Sequence, residues 1–208
     1  VALKTYMRIY SKIQPVCKNG NGHLSILHNL LKSYDLADLV KLSDRLNIKN
    51  LDRHYLVRDF KQFKMNTSES PGVIQVYTDG SLINDRAGCG VFIDFGNREL
   101  SGLEHLGKCA SVFQAEILAI DRAADVLMNS SNQHIVFKSD SQAAIRALTN
   151  KTVKSSLVKE CAHKLNQLCS TNKVELQWIK AHVGLLPNEK ADRLAKHGAK
   201  FIVDGCER

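Results

Sequence analysis

Asp79, Glu116, Asp140 and Asp192 are the residues of this chain most suited to chemistry. They stand in the contexts Tyr77-Thr78-Asp79-Gly80-Ser81, Gln114-Ala115-Glu116, Lys138-Ser139-Asp140-Ser141-Gln142 and Asn188-Glu189-Lys190-Ala191-Asp192, the last preceded by His182-Val183-Gly184. Several carboxylates in close contact repel one another unless hard cations sit between them. All-oxygen ligation selects Mg2+ or Mn2+ over zinc, and no CxxC pair or paired histidines compete for a metal. Two such ions about 4 Å apart can clamp the attacking water and the leaving oxygen of an in-line displacement at phosphorus. The chemistry expected of the four acids together is therefore metal-dependent phosphodiester hydrolysis.

Taken singly, each acid has an ordinary reading as well. Asp79 precedes Gly80, and Asp-Gly is a common turn. Glu116 falls inside the apolar arc formed on a helical wheel by Val112, Phe113, Ile120, Ala123, Ala124 and Leu127, where a carboxylate costs desolvation energy unless it meets a cation or donors. A salt-bridged structural glutamate and a metal ligand both fit that position. Asp140 follows an apolar strand and opens a helix, so it can act as an N-cap; Ser141 can do the same and leave Asp140 free. Asp192 lies too deep in the last helix to cap it, whereas Glu189 sits in the first turn, where the helix dipole favours acids.

The elements that must position these residues follow from periodicity. Strands are expected at Val73 to Tyr77, Cys89 to Phe95, Glu99 to Leu106, Ile135 to Lys138 and Val174 to Ile179, with Gly96-Asn97 as a hairpin turn. Helices are expected over Ser111 to Met128, Ser141 to Leu148, Ser155 to Cys169 and Pro187 to Lys200. Asp79 and Asp140 would then both end apolar strands, and parallel neighbours would set them side by side. Sites in open α/β sheets form at such carboxyl ends. Three antiparallel strands followed by helix-separated strands imply a mixed sheet with helices on both faces. Before this region, 1–64 carries leucines and isoleucines at helical spacing and is expected to be a basic, helical accessory region. The polar, aperiodic stretch 65–72, ending in Pro71-Gly72, has the composition of a linker. The domain carrying the acids would then stand alone over 73–200, with 201–208 as a tail.

Of the net charge of +8, residues 1–72 contribute +6 (twelve basic against six acidic) and residues 73–208 the remaining +2 (seventeen against fifteen). That balance suits a polyanionic partner. No apolar run is long enough to span a bilayer, and the N-terminus lacks the features of a secretory signal. Six cysteines without metal spacing suggest a reduced, intracellular chain in which each is a small buried hydrophobe.

With these residues in view, 73–200 resembles type 1 ribonuclease H. The matching elements are Thr78-Asp79-Gly80-Ser81, Gln114-Ala115-Glu116, Ser139-Asp140-Ser141, Trp178 to Gly184 and Asn188 to Ala195. The resemblance implies a three-layer α/β/α fold with a mixed five-stranded sheet, here preceded by a small helical N-terminal region. It implies endonucleolytic cleavage of the RNA strand of RNA–DNA hybrids, leaving 5′-phosphate and 3′-hydroxyl ends. Asp79, Glu116, Asp140 and Asp192 would hold two Mg2+ ions, with Mn2+ as a substitute. His182 would assist proton transfer and product release, and Glu189 would be an outer-shell helper. Gly80, Ser81, Gln114, Ser141 and Asn188 would contact substrate. The wording of Gln114 to Ile120 and of Ser139 to Ala144 is most similar to the ribonuclease H domain that follows reverse transcriptase in arthropod non-LTR retrotransposons. That likeness implies an attached reverse transcriptase as a partner, a thumb or connection remnant in 1–64, and a monomer. The alternative is a weak or inactive nucleic-acid-binding remnant; retention of all four acids weighs against it.

Overall fold

The computed structural model describes residues 51–58, 72–108, 110–181 and 183–200. The expected helices before residue 51, the expected linker except for Gly72, and the C-terminal tail lie outside the described residues. The strands β1 (Leu56–Val57), β2 (Val73–Ile83), β3 (Arg86–Asp94), β4 (Glu99–Gly107), β5 (His134–Ser139) and β6 (Lys173–Trp178) form one mixed sheet in the order β1-β6-β5-β2-β3-β4. Strand β2 pairs antiparallel with β3, which pairs antiparallel with β4. On its other side β2 runs parallel to β5, and β5 parallel to β6.

Two features differ from expectation. Strand β2 does not stop at Tyr77 for an Asp-Gly turn; it continues through Asp79 and Gly80 to Ile83. The reversal is made instead by Asn84 and Asp85, both at positive φ (51° and 61°), as a two-residue hairpin demands. The second difference is a sixth strand. Leu56–Val57, expected to belong to a helical region, form β1 and run parallel to β6 with Leu56 opposite Glu175 and Val57 opposite Leu176. Their β-branched and leucine side chains meet a ready edge, and the tertiary pairing overrides a weak helical pattern.

Helix α1 (Val112–Leu127) begins with a capping box in which the Ser111 hydroxyl accepts from the Gln114 amide and the Gln114 side chain accepts from the Ser111 amide. Helices α2 (Gln142–Thr149) and α3 (Ser156–Cys169) join α1 on one face of the sheet. Their apolar stripes bury Ile117, Ile120, Leu127, Ile145, Leu148 and Leu165 against Val76, Ile135, Phe137 and Leu176. Cys89 and Cys161 are free and buried in this core, as small hydrophobes. Helix α4 (Leu186–Lys200) packs on the opposite face, with Ala191 against Tyr77, Phe92 and Ile179. It lies unusually close to the sheet. A Cβ on Gly88 would come within 2.1 Å of the Ala199 nitrogen, and one on Gly90 within 2.2 Å of the Ala191 oxygen. These two glycines on β3 let the helix backbone settle onto the strand, which fixes the depth at which Asp192 projects.

Candidate active site

The carboxylates are gathered by register. The last β2–β5 pair is Thr78 with Ser139, so Asp79 and Asp140 come next on adjacent parallel strands, where β5 ends and β2 runs on. Asp79 is therefore within its strand rather than at its end. From the other direction, α1 passes directly over Gly80, where a Cβ would lie 2.5 Å from the Glu116 nitrogen and 2.9 Å from its Cγ. The absent side chain is what lets Glu116, on the buried stripe of its helix, reach the same place. One ligand atom from each of Asp79, Glu116 and Asp140 lies within 4.8 Å of the others.

Asp140 is held from both ends. Its carbonyl accepts from Trp178 Nε1 at 2.9 Å, and its Oδ2 accepts from Asn188 Nδ2 at 3.3 Å. Ser141, not Asp140, caps α2, its hydroxyl accepting from the Ala144 amide at 3.3 Å. The Asp140 carboxylate is thereby left to the cluster. Asp192 approaches from α4. It lies outside the three-carboxylate group, pairs with Lys196 at 2.7 Å, and stands close enough to Asp79 to act on its titration.

Burial and mutual repulsion raise two carboxyls of the cluster. Burial, then the charges of Asp140 and Asp192, push the Asp79 carboxyl up to about 7. Burial, then Asp79 and Asp140, push Glu116 up to about 9. The other two buried acids are a useful contrast. Asp121 pairs with Lys164 at 2.7 Å, and Glu175 pairs with Lys173 and His134, each at 2.8 Å, and with Arg58; these partners hold Glu175 down at about 2 against the effect of burial. Among the described residues neither Asp79 nor Glu116 has an ion-pair partner of that kind. The cation whose charge is felt with Asp79, Lys196, is bonded to Asp192 at 2.7 Å, and Glu116 Oε2, like Asp121 Oδ1, is buried without a hydrogen-bond partner. Buried carboxylates of this kind need positive charge. An all-oxygen donor set with an orphaned, inward-facing oxygen fits a hard divalent cation.

The remaining expected residues divide. Gly80 contributes close approach, and Ser81 sits one residue further along β2, half-buried. Gln114 is exposed, but its side-chain oxygen is engaged at the start of α1. Asn188 is 4% exposed, too enclosed to meet substrate directly; it bonds Asp140 and keeps its Oδ1 buried without a partner. Glu189 occupies the first turn of α4, its amide bonding the Leu185 carbonyl at 3.0 Å. His182 lies outside the described residues. Sequence reasoning did not assign the tie from Trp178 to Asp140, or the roles of Gly88 and Gly90. The position of the lone tryptophan at the end of a strand was the available signal for the first; nothing local signals the glycines.

The sequence model of the RNase H family matches residues 71–200. The chain is 31% identical over 180 residues to ribonuclease H of Schizosaccharomyces pombe, covering 73% of this chain and 64% of that protein. It is 32% identical over 150 residues to human ribonuclease H1, covering 63% of this chain and 51% of that protein. To ribonuclease H of Halorhodospira halophila it is 28% identical over 152 residues, covering 65% and 99%. The chain thus spans about half to just under two thirds of the length of these eukaryotic relatives. Among solved structures, RNase H1 from the halophilic archaeon Halobacterium salinarum NRC-1 aligns with a TM-score of 0.49 and 21% identity, over 61% of this chain and 97% of that one. With a match over most of its length, and its acids gathered as described, the chain belongs to the RNase H family.

Proposed function

We propose that this protein is a metal-dependent endonuclease that hydrolyses the RNA strand of RNA–DNA hybrids, leaving 5′-phosphate and 3′-hydroxyl ends. The observation that carries the reading is the convergence of Asp79, Glu116 and Asp140 within 4.8 Å, with the two buried members raised by burial and by the neighbouring acids. In this reading Asp79, Glu116, Asp140 and Asp192 hold two Mg2+ ions, or Mn2+ in their place. When bound, these ions supply Lewis acidity at the scissile phosphate and an activated water. Asp79 and Glu116, whose burial favours the protonated form, would have to release any proton they carry for the ions to be held. Asn188 keeps one oxygen of Asp140 occupied and so directs the other into the cluster. His182 moves a proton at the leaving oxygen and helps product leave. Glu189 acts from the rim, and Gly80, Ser81, Gln114 and Ser141 line the path of the substrate strand. Recognition of 2′-hydroxyls on one strand would give preference for hybrid over duplex DNA.

The basic region 1–64 would add grip on the polyanion, and the chain would act as an intracellular monomer. The wording of the Gln114 and Asp140 motifs favours an origin in a retrotransposon polyprotein, next to a reverse transcriptase. Retention of all four acids favours a working enzyme over a binding remnant. Labelled hybrid, duplex DNA and duplex RNA, each with Mg2+ or Ca2+, test the proposal: hybrid alone should be cut, and Ca2+ should support little turnover because its looser shell does not hold the two-ion geometry. Cleavage of duplex DNA at the hybrid's rate would overturn it.

A further inference from the structure

Residues 51–58 lie outside the family match, yet they are bound along their whole length to the body that carries the acids. The contacts are of a kind an extended peptide makes with a receptor. The Leu51 amide donates to the Lys151 carbonyl at 3.3 Å. The Asn166 side chain engages both sides of Arg53, donating to the Asp52 carbonyl at 2.8 Å and accepting from the His54 amide at 2.9 Å, as a neighbouring strand would. Arg53 and Tyr55 reach the open carboxyl end of α2: the guanidinium donates to the Thr149 carbonyl, and the Tyr55 hydroxyl to the Leu148 carbonyl at 2.8 Å. These carbonyls are ones the helix cannot satisfy itself, and a cation there suits its dipole. The Tyr55 ring is 5% exposed, inside the main core. Beyond it, β1 pairs with β6, the Arg58 amide donates to the Leu176 carbonyl at 2.9 Å, and the Arg58 side chain joins Glu175.

We propose that residues 51–58 form an anchor that stays bound to the body carrying the acids by these contacts alone, independently of the covalent connection through 59–71. The occupant of the surface is this chain's own segment, and its receptor is the β6 edge, Asn166, Glu175 and the Leu148 and Thr149 carbonyls. Glu175 also tolerates release of the arm, since Lys173 and His134 remain beside it when Arg58 leaves. The anchor fixes residues 51–58 on the body that carries the acids, whatever the length of the stretch that follows. Any contribution of that region to holding hybrid rests on the hydrolytic reading above; the anchoring itself does not.

The test uses the full chain with a protease recognition site inserted between Met65 and Ser70. After cutting, the two pieces should co-elute in gel filtration, and the amides of His54 and Arg58 should stay protected from hydrogen exchange. Asn166→Ala combined with Tyr55→Phe should weaken the association of the cut pieces by at least tenfold, with circular dichroism of the uncut double variant confirming that it folds. Separation of the wild-type pieces on cutting would overturn the proposal, as would a double variant that stays as tightly associated as wild type. Hybrid cleavage is assayed alongside on the cut complex. Absence of cleavage in both cut and uncut protein would count against the hydrolytic reading and leave the association result standing.

Discussion

Gly80 and Glu116 stand so close that a single methyl group on residue 80 would enter the backbone of α1, 2.5 Å from the Glu116 nitrogen. The glycine after the strand acid is thus a spacing device between β2 and the helix, and its φ is not the issue. Gly80→Ala must push α1 outward, because a backbone nitrogen cannot swing aside as a side-chain tip can. Overpacking of this kind costs about 1–3 kcal/mol. Because Glu116 rides on the displaced segment, Mn2+ affinity should fall by more than tenfold while thermal unfolding shows only the moderate loss. Unchanged metal binding in a folded Gly80→Ala protein would contradict this arrangement.

The raised carboxyls give a pH signature with a definite sign. Asp79 at about 7 and Glu116 at about 9 bind protons more tightly in the folded protein than at the ordinary values of 3.8 and 4.5. In chelator, their contribution favours folding below pH 4 and is lost as pH rises through 7 and then 9. Asp79→Asn or Glu116→Gln should therefore stabilise the metal-free protein at pH 7.5, by roughly 1–3 kcal/mol, while abolishing hybrid cleavage. Protons compete with metal for the same oxygens, so the Mg2+ concentration needed for half-maximal activity should fall as pH rises from 6 to 9. Calorimetric titrations in buffers of differing ionisation enthalpy should register proton release on loading. A metal-free Glu116→Gln protein less stable than wild type at pH 7.5 would contradict the orphaned-carboxylate reading.

Glu175 should behave in the opposite way. Its pKa of about 2 lies below the ordinary 4.5, so its contribution is present above pH 4.5 and lost as pH falls toward 2. Glu175→Gln should lower stability at pH 7 and nearly erase that loss at pH 2.5, with hybrid cleavage at pH 7.5 little affected. Equal destabilisation at both values would mean that the charge network is not what matters at this position.

Asn188 separates positioning from substrate contact. It is enclosed and bonds Asp140, so Asn188→Ala should raise the metal concentration required and lower kcat by about tenfold, with KM for hybrid within twofold. Asn188→Asp places a like charge beside Asp140 and should be worse than alanine. A rise in KM alone, at unchanged metal requirement, would restore the substrate-binding role implied by family resemblance.

Much of this site was legible in the sequence because its signals are local. The apolar runs before Asp79 and Asp140, the buried-stripe position of Glu116 and the competing cap at Ser141 each follow from a few neighbouring residues, and the structure has them as expected. The failures were nonlocal. Asp79-Gly80 has turn-like wording, but β2 continues because β3 is there to pair with it, and the actual turn at Asn84-Asp85 carries no glycine. Gly88 and Gly90 serve a helix more than a hundred residues away in sequence. The brief β1 strand is defined only by the edge it joins. Asn188 illustrates a further limit: a motif locates a residue, while burial decides what it can touch.

The same nonlocal strand alters where the folded domain begins. On sequence grounds the catalytic domain starts at residue 73, yet Tyr55 fills the core beside Leu148 and Arg58 helps neutralise Glu175. A chain starting at Gly72 would leave a void where the tyrosine ring was, expose the β6 edge and remove one of the cations around a buried carboxylate. Loss of a large buried aromatic costs about 3–5 kcal/mol by itself, which at this size is roughly 10 °C in melting temperature. A chain starting at Asn47 keeps the whole arm and should melt close to the full-length protein. Scanning calorimetry of the three, at one pH and with chelator present, decides the matter: equal melting temperatures for the Asn47 and Gly72 starts would show that the arm contributes nothing to the fold. If the arm is instead integral, the Gly72 start should also lose hybrid cleavage on warming well before the Asn47 start does, since Asp140 opens onto the helix whose far end Tyr55 and Arg53 hold.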